Sequence, residues 1–236
     1  MILKTKLLGH VYQFQSVKDV LAKANEVKSG DSLSGIAAES AEERVAAKVV
    51  VANLTLADLR NHPAVPYEED EVTRIIQDAV NETIFNEFKN MTVAEFREWL
   101  LDERTTTEMI RHASRGLTSE IVAGGCKLMS NLDLIYAAKK MRVSAHCNTT
   151  IGLPGTFSSR LQPNHTTDDP KGIIASVMEG LSLGCGDAVI GLNPVDDSLE
   201  SVARILKMFD EFKRKWEIPT QICVLAHVTT QMECVR

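Results

Sequence analysis

The chain has 236 residues, a formal net charge of −6, and 44% hydrophobic against 25% charged residues, the balance of a folded globular protein rather than a disordered one. Lys and Arg form no stripe, which argues against nucleic acid as a partner, because neutralising phosphates needs clustered cations. No apolar run approaches the ~18 residues that a bilayer span requires, and no apolar core follows Lys4 and Lys6 as it would in a secretory leader.

The opening residues, Ile2 to Phe14, are β-compatible around Gly9 and suggest a short hairpin. Helical patterning starts at Ser16. Ser16-Val-Lys-Asp and Ser40-Ala-Glu-Glu both read as helix starts, a hydroxyl cap followed by an acid three residues on. Gly30 and Gly35 flank a polar connector between them. Thr55 caps a short helix that ends at His62-Pro63, since proline disfavours helical geometry in the residue before it.

A single long helix is expected from about Glu69 to Lys89, with Val72, Ile75, Ile76, Ala79 and Val80 as its apolar stripe. Thr92 with Glu95 forms a capping box for the next helix, which carries Val93, Phe96, Trp99 and Leu100. Another helix is expected from Thr118 to Lys140. Its Gly124-Gly125 pair costs roughly 1 kcal/mol per glycine relative to alanine. The pair marks either a tight helix contact or a weakened segment.

After Met141 the pattern changes to short apolar strands alternating with amphipathic helices. Strands are expected near Ala145–Ile151, Asp187–Leu192 and Gln221–His227. The intervening helices run from Pro170 to Leu183, with Asp169 as N-cap, and from Ser198 to Trp216, with Val202, Ile205, Leu206, Phe209 and Phe212 as stripe. Such alternation signals βαβ units and a parallel sheet. From the residues alone the fold class is α/β, an incomplete parallel unit behind a helical region.

In parallel α/β architectures the chemistry gathers at the C-terminal strand ends. After the first expected strand comes a long loop, residues 152–165, holding Arg160 and Gln162. Two apart in an extended stretch, they face one side. A guanidinium fork and a carboxamide are suited to gripping a small polar molecule; the plain alternative is a solvated surface loop. Asn193, before Pro194, stands at the second strand mouth and is equally readable as an Asn-Pro turn, with Asp197 capping the next helix. His227, Thr229, Thr230 and Gln231 follow the third strand. A lone histidine without a second ligand at metal spacing carries little.

Gly184-x-Gly186 precedes a strand rather than following one, so the dinucleotide fingerprint fails. There is no phosphate-binding loop and no nucleophile elbow. Asp168-Asp169 and Glu68 to Glu71 stand at expected helix N-termini, where negative charge is favourable in itself. The five cysteines, Cys126, Cys147, Cys185, Cys223 and Cys234, are odd in number and lack C-x-x-C spacing. They are expected to be reduced and mostly buried, in a cytoplasmic protein.

The segments VTRIIQDAVNET, RGLTSE, NTTIGLPGTFSSRLQPN, GLSLGCGDAVIGLNPV and IPTQICVLAHVTTQ resemble the large subunit of ethanolamine ammonia-lyase. The resemblance runs from about Leu3 to Glu233. It implies an N-terminal, mostly helical region (1–115) followed by the start of a (β/α)8 TIM barrel (116–236), incomplete after about three strands. It also implies adenosylcobalamin as cofactor and the radical conversion of ethanolamine to acetaldehyde and ammonia. By the same resemblance Arg160, Gln162 and Asn193 match substrate-binding positions and Pro194 a cobalamin-contacting one, while no residue of this half matches a catalytic one.

The implied partners are ethanolamine, the small subunit and further large subunits, with no nucleic acid and no membrane. The implied address is the cytoplasm, or a bacterial microcompartment within it. Two departures stand out. The chain stops about halfway along the family pattern, before the acidic residues that grip the substrate ammonium, and IVAGGCKLM replaces an alanine-rich stretch. The chain alone is therefore expected to lack deamination activity and to associate through open strand edges. The alternative reading is a catalytically inactive piece that only assembles with the small subunit. A cofactor-free lyase or aldolase would want a Schiff-base lysine or a metal cluster, and no lysine stands at the three strand mouths.

Overall fold

A computed structural model describes residues 1–236 as a mixed α/β chain of thirteen helices and three small sheets, with no closed barrel. β1 (Lys4–Leu7) and β2 (His10–Gln13) form the expected antiparallel hairpin, with Leu7 opposite His10. Leu8 and Gly9 join them at φ 50° and 85°, the left-handed pair whose twist suits a two-residue hairpin turn.

Eight helices follow, α1 (Val17–Lys23), α2 (Ser29–Leu33), α3 (Ala41–Asn53), α4 (Leu56–Asn61), α5 (Glu71–Asp78), α6 (Glu82–Phe88), α7 (Val93–Leu101) and α8 (Thr107–Ser114). Their starts obey local chemistry. The hydroxyls of Ser16 and Ser40 accept from the N–H groups of Asp19 and Glu43. Thr55 with Asp58 and Thr92 with Glu95 make reciprocal capping boxes. The two boxes stand side by side, Thr55 bridging Thr92, with Leu56 N–H on Met91 O and Val93 N–H on Leu54 O at 2.9 and 2.8 Å. The polar connector after α1 contains the short α2, stabilised by Ser32 and Ser34 hydroxyls donating back to the carbonyls of Lys28 and Gly30.

Two expected helices are each divided. The stretch 69–89 breaks at 79–81, where Asn81 donates its N–H to Arg115 O at 2.8 Å and caps α6 with its side chain on Ile84 N–H. As a result Val72 and Ile75, part of the expected buried stripe, are 62% and 61% exposed, while Thr73 and Val80 are buried. The stretch 118–140 breaks into α9 (Ser119–Lys127) and α10 (Asn131–Lys140), because Ser130 and Asp133 form a third capping box. The glycine pair in α9 marks a tight contact. A Cβ at Gly124 would lie 2.8 Å from Cδ1 of Leu59 on α4, and one at Gly125 3.3 Å from the Phe96 ring on α7. Around them Leu54, Leu56, Leu59, Val93, Phe96 and Ile121 form a buried core. Each large side chain there contributes roughly 1.5–3 kcal/mol of burial energy.

The chain divides into two compact units, Met1–Arg142 and Val143–Arg236. α9 and the turn after it join the helical core through Ile121, Leu128 and Met129, and the Arg97–Asp133 pair ties α10 to α7. The second unit opens with β3 (Ala145–His146) and β4 (Thr150–Ile151), an antiparallel pair. This corrects the expectation of one parallel strand over 145–151. Cys147 N–H closes the turn onto Thr149 O at 3.0 Å, folding the segment back on itself.

The parallel sheet starts instead with β5 (Arg160–Leu161), followed by α11 (Pro170–Ser182), β6 (Val189–Leu192), α12 (Leu199–Lys215), β7 (Ile222–Val224) and α13 (Val228–Val235). The strand order is β5-β6-β7, all parallel, with Leu161 beside Ile190 and Ile190 beside Ile222. Asp169 and Pro170 start α11 as expected. Ser198, rather than Asp197, caps α12.

Leu161, Ile190, Leu192 and Val224 point to one face of the sheet. There they pack on Ile173 and Val177 of α11 and on Val202, Ile205 and Phe209 of α12. None of the cysteines is buried, contrary to expectation; all are free, with Cys126 and Cys147 exposed and the others partly so. No helix is long and apolar enough to cross a membrane.

Candidate functional site

Side chains alternate across a strand, so the register that sends Leu161, Ile190 and Val224 to the helices sends Arg160, Gly191 and Cys223 to the opposite face. Continued one residue past each strand, the same alternation adds Gln162 and Asn193. The parallel ladder itself extends that far at β7, where Leu225 N–H donates to Leu192 O at 2.8 Å. Residues 160, 162 and 193 therefore share one face, Arg160 level with Val189 at the start of β6 and Asn193 just past its C-terminal end. Arg160 and Gln162 belong to a strand and its end, not to the loop in which the sequence places them.

The guanidinium of Arg160 lies across β6. A Cβ on Gly191 would come within 2.9 Å of its Nη2, and within 2.7 Å of Cys223 Sγ on the next strand. Glycine at 191 thus leaves the notch that receives the arginine head. None of the ion pairs in the chain involves Arg160, so the donors of its fork remain available. Arg160, Gln162 and Asn193 are all exposed, and Pro194 is half-buried.

The N-terminal edge of the sheet is tied more tightly. Asp187 accepts from the N–H and hydroxyl of Ser159 at 2.7 and 2.8 Å. Those bonds, the backbone one foremost, hold its carboxyl below the usual range. The Gln221 carboxamide accepts from the N–H groups of Asn148 and Thr149 and donates to Thr149 Oγ1 and Ala188 O. The β3–β4 turn is thereby anchored to the strand starts, opposite the end that carries Asn193.

At the C-terminal end, each loop holds the next. Asn164 Oδ1 accepts from Asn193 N–H at 2.9 Å. Asp168 Oδ2 accepts from both Val195 N–H and Asp196 N–H at 2.8 Å. The Asp197 carboxylate accepts from His227 N–H at 3.1 and 3.2 Å. His227 itself caps α13, its Nδ1 accepting from Thr229 N–H and bonded to Thr229 Oγ1 at 2.8 Å. That engagement gives His227 a structural task. Sequence reading missed Asp168, whose position beside a helix start masked its reach to the neighbouring loop.

Open parallel strands backed by helices on one face, with a guanidinium and amides at the other, define an α/β unit carrying a polar strand-end wall. Comparison with known proteins gives that unit its family. The model described as "Ethanolamine ammonia lyase large subunit (EutB)" matches residues 12–236. The chain is 57% identical over all its 236 residues to proteins named ethanolamine ammonia-lyase large subunit from Escherichia coli (strain K12) and from Salmonella typhimurium (strain LT2), covering 52% of each. The chain belongs to the ethanolamine ammonia-lyase large subunit family. It spans about half the length of the curated relatives it matches.

Proposed function

We propose that this chain supplies one wall of an ethanolamine-binding site in an adenosylcobalamin-dependent ammonia-lyase, and that its three parallel strands are the first part of a (β/α)8 barrel. The observation that carries the reading is the shared face of Arg160, Gln162 and Asn193, with the Arg160 head seated over Gly191 and unpaired. Barrels keep one strand face inward and cover the other with helices, and α11 and α12 cover the face opposite Arg160.

The residues fit a two-carbon amino alcohol. The Arg160 fork donates to the hydroxyl oxygen and supplies positive potential beside the carbinol carbon. The Asn193 carboxamide shares that hydroxyl. Gln162, two residues beyond Arg160, offers its carbonyl oxygen to the amino group. The rim fits a large flat ring: Pro194 lacks an N–H to satisfy, and Val195 and Leu225 expose apolar surface at the same end. Pro194 and Val195 would hold the corrin edge. Adenosylcobalamin supplies, when bound, the radical chemistry that starts and ends the deamination. The protein groups bind, orient and keep the substrate beside it. The partners in this reading are the small subunit and further copies of the large subunit, in the cytoplasm or a bacterial microcompartment.

The test uses a chimera in which residues 1–236 replace the aligned half of the Escherichia coli large subunit, assembled with its small subunit. Loss of one charge-assisted hydrogen bond, about 1.5–3 kcal/mol, corresponds to roughly a 10- to 150-fold fall in kcat/KM for ethanolamine in Arg160→Ala. Unchanged KM and kcat in that variant would remove Arg160 from the substrate site.

A further inference from the structure

Asp168 is 3% exposed, in a βα loop where carboxylates ordinarily face water. Its backbone sits at φ 51°, a left-handed conformation that aspartate and asparagine tolerate better than other side-chain-bearing residues. Its Oδ2 takes the N–H groups of Val195 and Asp196 at 2.8 Å each, and its Oδ1 is buried without a partner. A carboxylate with half its accepting capacity unused is a cost to the fold. What that cost holds in place is the turn that follows β6. The bond from Asn193 N–H to Asn164 Oδ1 secures the other side of the same turn. Pro194, between them, has no N–H by which anything could hold it. Every free backbone donor of residues 193–196 is therefore gripped by side chains of the loop after β5.

We propose that Asp168 is a positioning residue: its carboxylate fixes the Asn193-Pro194 turn and so sets where the Asn193 amide and the Pro194 ring meet their ligands. The functional half of this inference rests on the substrate and cofactor reading above; the structural half does not. The clamp ties position at the second strand mouth to a residue of the first loop, which touches neither ligand. Asn164 acts with it, as the partner on the substrate side of the proline.

The experiment compares Asp168→Gly, which removes the carboxylate while accepting the positive φ, with Asp168→Asn, which keeps one acceptor oxygen and the backbone preference. Amide hydrogen exchange is read residue by residue in the full 236-residue chain. In Asp168→Gly the Val195 and Asp196 amides exchange about tenfold faster or more, while Ile190 and Ile205 amides in the core keep their rates. Asp168→Asn restores most of the protection. Equal protection of Val195 and Asp196 in Asp168→Gly overturns the proposal, as does uniform acceleration across residues 143–236, which marks a stability effect instead.

The same substitutions in the chimera read the functional half. Asp168→Gly raises KM for ethanolamine more than tenfold, and Asp168→Asn recovers it. Accelerated exchange with unchanged KM and kcat would show a clamp without consequence for the site. A chimera inactive with Asp168 intact would count against the functional reading alone, since the exchange measurements decide the clamp.

Discussion

Gly191 offers the sharpest perturbation of the polar wall. A Cβ there would stand 2.9 Å from Arg160 Nη2 and 2.7 Å from Cys223 Sγ, where ordinary contacts lie at about 3.5–4.0 Å. In Gly191→Ala both neighbours must withdraw by roughly 0.6–1.3 Å to reach that range. The backbone of Gly191 is not in the left-handed region, so alanine brings no torsional strain and gains about 0.4–1 kcal/mol by narrowing the unfolded ensemble. Overpacking a buried position costs about 1–3 kcal/mol. The net expectation is a loss of up to about 2.6 kcal/mol, which for a unit of this size lowers Tm by about 4–8 °C per kcal/mol. Trp216 reports unfolding of the second unit once Trp99 is replaced by Phe. In the chimera the displaced guanidinium raises KM for ethanolamine, and the double variant Gly191→Ala with Cys223→Ala, which frees one side of the notch, recovers part of both losses. If Gly191→Ala leaves Tm and KM as they were, the guanidinium does not rest on β6 and the reasoning fails.

Gly124 tests the helical unit in the same way. Gly124→Leu drives a side chain into Leu59, already 2.8 Å from where its Cβ would lie, and should cost at least about 2 kcal/mol in urea unfolding despite leucine's better helix propensity; a stabilised variant would show that α4 and α9 do not touch there. Thr92→Ala removes a capping box and should cost about 1 kcal/mol, read as a lower urea midpoint, with Thr92→Ser retaining most of the stability. The half-buried Lys23–Glu43 pair, 2.7 Å apart, gives the helical unit a pH dependence. Burial opposes the Glu43 charge, but the hydrogen bond from Lys23, that from Glu39 N–H and the field of Lys23 together prevail and lower its pKa; the Glu43 hydrogen bond raises that of Lys23. The Glu43 contribution is present above its ordinary value of 4.5 and is lost as pH falls through the depressed one. The Lys23 contribution is present below 10.5 and is lost as pH rises through the elevated one. Glu43→Gln should flatten the acid limb of the stability curve by up to about 1 kcal/mol, and an unaltered acid limb would refute the assignment.

Features resolved within four residues were legible in the sequence. The caps at Ser16, Ser40, Thr55, Thr92 and Asp169 stand where hydroxyls and carboxylates precede apolar periodicity. The β6 and β7 segments were legible because buried parallel strands read as apolar runs. What escaped depends on residues far apart in the chain. The break at 79–81 comes from Asn81 reaching Arg115 O, and nothing in the Ala79-Val80 stripe announces it. Ser130-x-x-Asp133 is a capping box in plain view, but apolar residues continue on both sides and conceal the stop. β5 is two residues long amid glycine and proline, and only its pairing with Val189 and Ile190 makes it a strand. At the candidate site, Asn193 follows an expected strand that forms as β6, whereas the sequence places Arg160 and Gln162 after a strand over 145–151 that stays out of the parallel sheet, so their naming rests on resemblance. The Gly191 notch and the Asp168 clamp could not be read from the sequence, since both exist only once neighbouring strands are in register.

The arginines of this chain show why the setting of Arg160 matters. Arg60 is engaged by Glu82 and Gln77, Arg97 by Glu98 and Asp133, and Arg104 by Asp102. The donors of Arg60 and Arg97 are consumed in joining α4 to α5 and α6, and α7 to α10, whereas Arg104, 90% exposed, only closes its own turn onto Asp102. Others, such as Arg111 and Arg204, go unpaired on helix faces open to water, where a long side chain samples many positions. Arg160 belongs to neither group. Its head is located by a strand, through the absent side chain of Gly191, yet no carboxylate occupies its fork. A cation that rests against a strand without a counter-ion keeps its donors for an incoming molecule. An acid placed beside it would undo that arrangement. Cys223→Asp, on the neighbouring strand, should pair with Arg160, raise the stability of the second unit toward the melting point in Trp216 fluorescence, and abolish ethanolamine turnover in the chimera. Gained stability with turnover intact would mean that the fork of Arg160 is not what the substrate uses.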